Sequence, residues 1–596
     1  PGAKKPFKPY KNTEKKSRPG KPNDGRKPGF SKAEKRKRPA GGPPAKREKN
    51  GKKPPTTEEE LKKRLQKKRE LKNNRQQAER KEMFDIISRC KAVWGNLRRK
   101  KCDTEQKAKL MKELHGLIRG KIKQMAFAHD SVRVLQCFIQ FGNQKQRFEV
   151  FEELKDSVLD MSKSPYGKHV VKKLLMYGNK EMVAAIIQLF GGHIRKMLRH
   201  ATASTIVEYA YNDKAMLAQR LMITGELYGN TYAICKSSEL NTIEKVLAAN
   251  PEKLENILEE TKQAIVPLAQ KEQVIRHSVV HKVFLDFFQF APEKQRSEMI
   301  ESIRESVVYM AHTHDGARVA MHCLWHGTAK VGPDVQHLYY CYINTGEFGH
   351  MVLLAIFDCV DDTKLVKQTV LAELLSVLPE VLGNKHGKKV LLYLLRPRDP
   401  THMLPDIVKL LEQGDGNAHS KKDMATRRRE LLEAASPALL DHLQLNAAAM
   451  VTNKAASVTV RDILASACGD LRPAMTAVAQ LANQELVQGG VKGQLHLAEH
   501  PAGHLVLKWL IEQDAMLAEN GREECFSRIL VDTVGTETMK SWVKVNRGAM
   551  VLCSLLNSCD GSVAAEVKAA LSAIIPELRR ISDHKGAEIL LQNLNK

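Results

Sequence analysis

Along 164-SPYGKHVVKKLL-175 polar and apolar positions come in pairs: Lys168 and His169, Val170 and Val171, Lys172 and Lys173, Leu174 and Leu175. At 3.6 residues per turn these two sets fall on opposite faces of a helix. The apolar face must pack, and the basic face must meet water or an acidic partner. Taken alone, such a helix is most simply a solvated surface element. The pattern returns, however, at 129-HDSVRVLQCFIQFG-142, 200-HATASTIVEYAYN-212, 277-HSVVHKVFLDFFQF-290, 314-HDGARVAMHCLWHG-327, 346-GEFGHMVLLAIFDCV-360 and 385-KHGKKVLLYLLRPRD-399. It continues at 500-HPAGHLVLKWLIEQD-514, 546-NRGAMVLCSLLN-557 and 583-DHKGAEILLQNL-594, with weaker versions at 237-SSELNTIEKVL-247 and 453-NKAASVTVRDIL-464.

Marking each copy by the first residue of its polar stripe gives Val132, Lys168, Ser204, Asn241, His281, Ala317, His350, Lys388, Ser457, His504, Ala549 and Ala587, mostly 33–40 residues apart. A second apolar helical segment fills the rest of each period, and β-alternation is nearly absent. Units of this kind bury a continuous core only by stacking, so the pattern predicts an all-α, right-handed superhelical solenoid of about 11–12 repeats whose equivalent helices line one surface. The long step after Lys388 contains 412-EQGDGNAHSKKDMATRRRE-430, which reads as a mobile charged loop between repeats at 81–411 and 431–596. Trp94, Trp325, Trp509 and Trp542 sit among apolar neighbours and read as core.

Composition places the candidate chemistry at one end of the chain. The formal net charge is +28 over 596 residues, divided as about +20 in residues 1–80, +13 in 81–200 and −5 in 201–596. A polyanion partner is therefore expected at the N-terminal end. Residues 1–55 are rich in Lys, Arg, Pro and Gly and are predicted to be disordered, while 56-TTEEELKKRLQKKRELKNN-74 carries a capping-box pattern and a thin leucine stripe that predict a charged helix. Within this tail, residues 1–80, the cluster Lys35, Arg36, Lys37, Arg38 fits a nuclear import signal and equally fits a general RNA-binding segment. Eleven scattered cysteines without a C-x-x-C pair read as reduced thiols of an intracellular protein, and 312-HTHD-315 has no cysteine pair beside it, so no metal is expected. No apolar run is long enough for a membrane span. Phosphate-loop, nucleophile-elbow and H-E-x-x-H motifs are missing, which predicts no enzymatic activity and no cofactor.

The segments 166-YGKHVVKKLL-175 and 386-HGKKVLLYLL-395, at a period near 36, resemble Pumilio-type (PUF) repeats. The basic tail and the number of repeats resemble the divergent Puf-A class, over nearly all of residues 83–596. The resemblance implies an armadillo-like solenoid in which one base is read by side chains at positions i, i+1 and i+4 of the inner helix. Here those positions hold Val132/Arg133/Gln136, Lys168/His169/Lys172, Ser204/Thr205/Glu208, His281/Lys282/Leu285, Ala317/Arg318/Met321, His350/Met351/Leu354, Lys388/Lys389/Leu392 and His504/Leu505/Lys508. Only Ser204 with Glu208 matches a guanine-reading pair, so a base code is not expected. Lysines at reading positions suit phosphates, which carry no sequence information. Candidate nucleic-acid contacts are Arg133, Gln136, Lys168, His169, Lys172, Lys173, Arg195, Lys196, Arg199, Ser204, Thr205, Glu208, Lys388 and Lys389, whereas His281, His350 and His504 read as hydrogen-bonding members of the stack. The resemblance further implies sequence-independent binding of RNA or DNA and large-subunit maturation in the nucleolus, so structured pre-ribosomal RNA, with duplex DNA beside it, is the expected ligand; single-stranded and duplex forms stay open, and the charge gradient suits the later, slightly acidic repeats to protein partners. A monomer without membrane or small-molecule partners is expected. A HEAT- or armadillo-like scaffold whose tail alone binds RNA is the competing reading.

Overall fold

The computed structural model describes residues 58–99, 102–327, 346–491, 493–580 and 585–595. The chain divides into two compact units, Pro1–Glu79 and Arg80–Lys596. The predicted disorder of residues 1–55 and the import signal at Lys35, Arg36, Lys37 and Arg38 lie outside the described residues. The helix expected at 56–74 is present as the start of α1 (Glu58–Leu97).

Among the described residues the second unit is helical, with a lone β-bridge between Val491 and Gln494. Its inner row comprises α2 (Val132–Phe141), α3 (Gly167–Tyr177), α4 (Ala201–Tyr209), α5 (Ser278–Phe290), α6 (His314–His326), α7 (Gly349–Cys359) and α8 (Lys385–Leu395). After the long α9 (Met424–Thr452) the row resumes with α10 (Ser457–Ser466), α11 (Gly503–Glu519), α12 (Asn546–Leu556) and α13 (Lys585–Leu594). Successive members pack on each other, save that α4 meets the start of α5 through a side chain described below. The apolar half of the paired pattern forms one core running from Cys90 to Leu594, as stacked repeats require. No helix among the described residues is long and apolar enough to cross a membrane.

The small residue opening most inner helices has a steric cause. A Cβ on Gly167 would lie 2.9 Å from the carbonyl oxygen of Met161, on Gly316 2.0 Å from that of Met310, on Gly387 2.7 Å from that of Val381, on Gly503 2.8 Å from that of Leu497 and on Gly548 2.4 Å from that of Trp542. In every case the carbonyl belongs to the residue six positions earlier, so the short preceding helix can close onto the inner helix only where a side chain is missing. Where Ser131 takes this place, its Oγ instead donates to the Met125 carbonyl, again six residues back, at 2.8 Å. Gly316→Ala should therefore lower unfolding stability by about 2–3 kcal/mol through overpacking, whereas Gly383→Ala, with nothing within 4 Å of the new methyl, should be neutral or slightly stabilising. Urea midpoints of the two variants test this; equal shifts would refute it.

Three expectations need correction. The weak copy at 237–247 does not join the inner row: Asn241 precedes its helix, Ile243–Ala249, which packs on Asn230–Cys235 and on the turn Pro251–Lys253. With only Ile243, Val246 and Leu247 buried, that helix lacks the apolar surface needed for packing between two neighbours. Eleven inner helices result among the described residues. The stretch 412–430 is a loop only over 413–423, and that part is tied down rather than free, with Lys421 N and Lys422 N donating to Asp361. The last residues of the stretch form the start of α9, capped by Asp423, and Arg427 is buried. Gly414 lies so close against Trp325 that a Cβ would meet the indole Nε1 at 2.2 Å. Trp325 and Trp542 are core as expected, but Trp94 and Trp509 are only half-buried.

Candidate nucleic-acid interface

The basic stripe emerges on α2 and α3 because their apolar positions, Val134, Leu135, Phe138, Val170, Val171, Leu174 and Leu175, are fully buried. Arg133, His169 and Lys172 are exposed, and Gln136, Lys168 and Lys173 are half-buried. Aromatic rings and one amide, rather than carboxylates, hold Lys172 and Lys173. Lys172 Nζ lies 4.7 Å from the Tyr209 ring centre, and Lys173 Nζ lies 5.0 Å from that of Tyr177 while donating to Gln140 Oε1 at 3.1 Å. Among the described residues no carboxylate pairs with Arg133, Lys168, Lys172 or Lys173, so their charge is available to an outside anion. Partial desolvation by its neighbours first, and then the charges of Lys168, Lys172 and Arg133, hold the His169 imidazole below the ordinary histidine range.

Beside this stripe opens a cavity of about 820 Å³ bounded by α1, α2 and the turn before α3. Its wall includes Arg98, Arg99, Lys107, Arg133, His169 and Lys173, and no carboxylate. Arg98 stacks 5.0 Å from the Trp94 ring centre, and Lys107 approaches Phe141 at 6.0 Å. The sequence reading missed Arg98, Arg99, Lys107 and the role of Trp94. The signal available was the run of Arg98 and Arg99 directly after Trp94, but only the fold brings α1 alongside Arg133.

The remaining candidates separate. Arg195, Lys196 and Arg199 stand on or beside the short helix Ile194–Leu198 preceding α4, with Lys196 and Arg199 exposed. Ser204 is fully buried and donates to the Ala201 carbonyl, so the expectation that it reads a base is corrected. Glu208 is corrected as well: its carboxylate accepts from Ser278 N at 2.8 Å, Ser278 Oγ at 2.7 Å and Val279 N at 3.3 Å, capping the start of α5 and joining it to α4. Thr205 is exposed, with its hydroxyl donated to the Thr202 carbonyl. Lys388 donates across the stack to the Ala455 carbonyl and is half-buried, and Lys389 is half-buried beside it. Val132, His281, Ala317 and His350 are also buried, so the first reading position is mostly withdrawn into the stack. His281 is the hydrogen-bonding member expected: Nε2 donates to the Ile275 carbonyl at 2.5 Å and Nδ1 accepts from Thr313 Oγ1 at 2.6 Å, while burial holds its pKa down at about 3.

A model of the Pumilio-family RNA binding repeat matches residues 100–115, 133–155 and 157–189, and one of the CPL (NUC119) domain matches 383–523. The chain is 59% identical to Pumilio homolog 3 of Homo sapiens over 87% of this chain and 81% of that protein, and 60% identical to the Danio rerio protein of the same name over 87% and 83%. The crystal structure of human Puf-A superposes with a TM-score of 0.83 at 59% identity, covering 86% of this chain and 100% of that one. A crystal structure of human Puf-A in complex with DNA gives 0.81 at 58% identity, covering 85% and 99%.

Proposed function

This chain belongs to the Pumilio homolog 3 (Puf-A) family, and we propose on that premise that it binds RNA and DNA through their phosphates with little regard to sequence. The observation carrying this reading is the set of cations on α2 and α3, Arg133, Lys168, Lys172 and Lys173, left without carboxylate partners next to a wholly cationic and neutral cavity wall. Phosphate contact needs such charge, whereas base readout needs exposed hydrogen-bonding side chains at positions that this chain buries or commits to the stack. The complex of human Puf-A with DNA supports nucleic-acid binding itself. The protein acts by binding rather than by catalysis, as an assembly factor for large ribosomal subunits that holds pre-ribosomal RNA in the nucleolus, delivered there by the cluster Lys35 to Arg38, while other proteins engage the later repeats.

Isotherms of the whole chain with unrelated sequences of single-stranded RNA, duplex RNA and duplex DNA, repeated over a salt series, test it. Affinities should agree within a few-fold between sequences of one class, and log K should fall by about 0.9 per phosphate contact for each tenfold rise in salt on duplex DNA. A preference of about 100-fold for one sequence over its shuffled version would refute the absence of readout.

His169 adds a pH signature. Depressed by partial desolvation and neighbouring cations, its imidazole is mainly neutral at pH 7, and a phosphate bound beside it draws a proton onto it. Binding then takes up at most one proton. Affinity should therefore rise as pH falls from 7 through the free-state pKa, by at most about tenfold for each unit by which phosphate raises that pKa. His169→Gln should flatten the profile; an unchanged slope in that variant would remove His169 from the interface.

A further inference from the structure

The cavity at the N-terminal end of the stripe has walls that phosphate binding alone does not explain. Aromatic surface faces it from three elements: Trp94 from α1, Phe141 from the end of α2, and Tyr166 from the turn before α3. Apolar ring surface is ordinarily buried, yet Phe141 is 43% exposed and Tyr166 37%, and Trp94 is half-buried. The cations are interleaved with these rings: Arg98 lies against Trp94, and Arg133 and Lys173 complete the wall. A duplex presents phosphates but keeps its bases stacked inside, so it can use the cations and not the rings. An unstacked nucleotide uses both, its base lying on an aromatic face and its phosphate beside the guanidinium groups.

We propose that this cavity receives an unpaired nucleotide, at an end or a bulge of the bound nucleic acid, so that the protein favours junctions between paired and single-stranded segments. The assignment rests on the phosphate-binding reading above and deepens it. The rings are not at the i+1 stacking positions of the inner helices, where this chain has few aromatics; they come from α1, from a helix end and from a turn. Selectivity for unpaired structure therefore arises without any base code. The site takes one nucleotide of a chain rather than a run of bases, because the next rings along the row, Tyr177 on α3 and Tyr209 on α4, are half-buried and already covered by Lys173 and Lys172.

The test compares the whole chain on a blunt RNA duplex and on the same duplex with a short unpaired 3′ or 5′ extension, in both the wild type and the variants Phe141→Ala and Tyr166→Ala. The extended duplex should bind about tenfold tighter than the blunt one after correction for its added phosphates, and each variant should bring that ratio close to one. 2-Aminopurine at the unpaired position should lose fluorescence on binding to the wild type and recover it in the variants, a readout that is followed at saturating protein. Equal affinity for the two duplexes, or quenching that survives both substitutions, would overturn the pocket assignment. Free adenosine monophosphate binding as tightly as the extension does would overturn the assignment to a polymer. The double variant Lys168→Glu/Lys172→Glu tests the underlying reading separately: it should weaken blunt and extended duplexes alike, and failure to weaken either would remove the phosphate-binding face itself.

Discussion

Changing Arg133, Lys168 and Lys172 together to Glu should weaken duplex RNA binding by about 100-fold or more at roughly 0.1 M salt and lower the salt slope by about 3. Arg133 and Lys172 are exposed, Lys168 is half-exposed, and none is paired to a carboxylate among the described residues, so apart from the Tyr209 ring beside Lys172 the substitutions remove contacts with the ligand without stranding an internal partner. The fold should survive, because the residues packing α2 and α3 are the untouched apolar set from Val134 to Leu175. Lys388→Glu is the instructive contrast. Its ammonium is committed to the Ala455 carbonyl between neighbouring repeats, and burial holds its pKa below the usual lysine range. That change should reduce stability and leave the salt slope unaltered. Unchanged binding by the triple variant would make the repeat surface a protein dock and leave nucleic acid to the basic tail.

Arg427→Met should destabilise the array by about 2–3 kcal/mol, less than for a fully buried ion pair because the Asp361 side chain left behind is 32% exposed. Arg427 is 2% exposed. Its guanidinium donates to Asp361 Oδ1 at 2.6 Å, to the Lys422 carbonyl at 2.9 Å, and to the Asp358 carbonyl and Ser420 Oγ. Desolvation would raise the Asp361 carboxyl, but Arg427, the backbone N–H groups of Lys421 and Lys422 and the Ser420 hydroxyl hold it down at about 2. A second set ties the same region: Arg398, with φ 59° in the left-handed region, pairs with Asp358 at 2.7 Å and Asp415 at 2.6 Å. Breaking the Arg427 contacts frees the segment before α9 and loosens the join between α7 and the helices that follow. In a stacked array such a break reduces cooperativity as well as stability, so the unfolding curve should broaden or split. Arg429→Met, at a 67% exposed side chain 3.8 Å from Glu433, should change stability by no more than about 0.5 kcal/mol. Denaturant unfolding with amide exchange over 415–430 distinguishes the two variants, and equal behaviour would show the Arg427 contacts to be unimportant.

Much of this molecule was legible in the order of its residues. Pairs of apolar positions at helical spacing determine which face of each helix packs, and their recurrence determines that the packed faces join into one core; both follow from local periodicity and the need to bury apolar surface. The clustering of uncompensated charge before residue 200 was equally a property of the chain. Tertiary structure alone decided which polar residues remain available for a ligand. Glu208 looked like a base reader and caps α5, Lys388 looked like a phosphate contact and crosses to Ala455, and Trp94 looked like core and lines a cationic cavity. Arg427, Arg428 and Arg429 are chemically identical neighbours, yet the first is buried in an ion pair, the second is partly buried near Asp358 and the third is in solvent. Periodicity specifies a face, whereas the partner of a charge is set by contacts between residues tens of positions apart, and those distances exist only once the repeats have stacked.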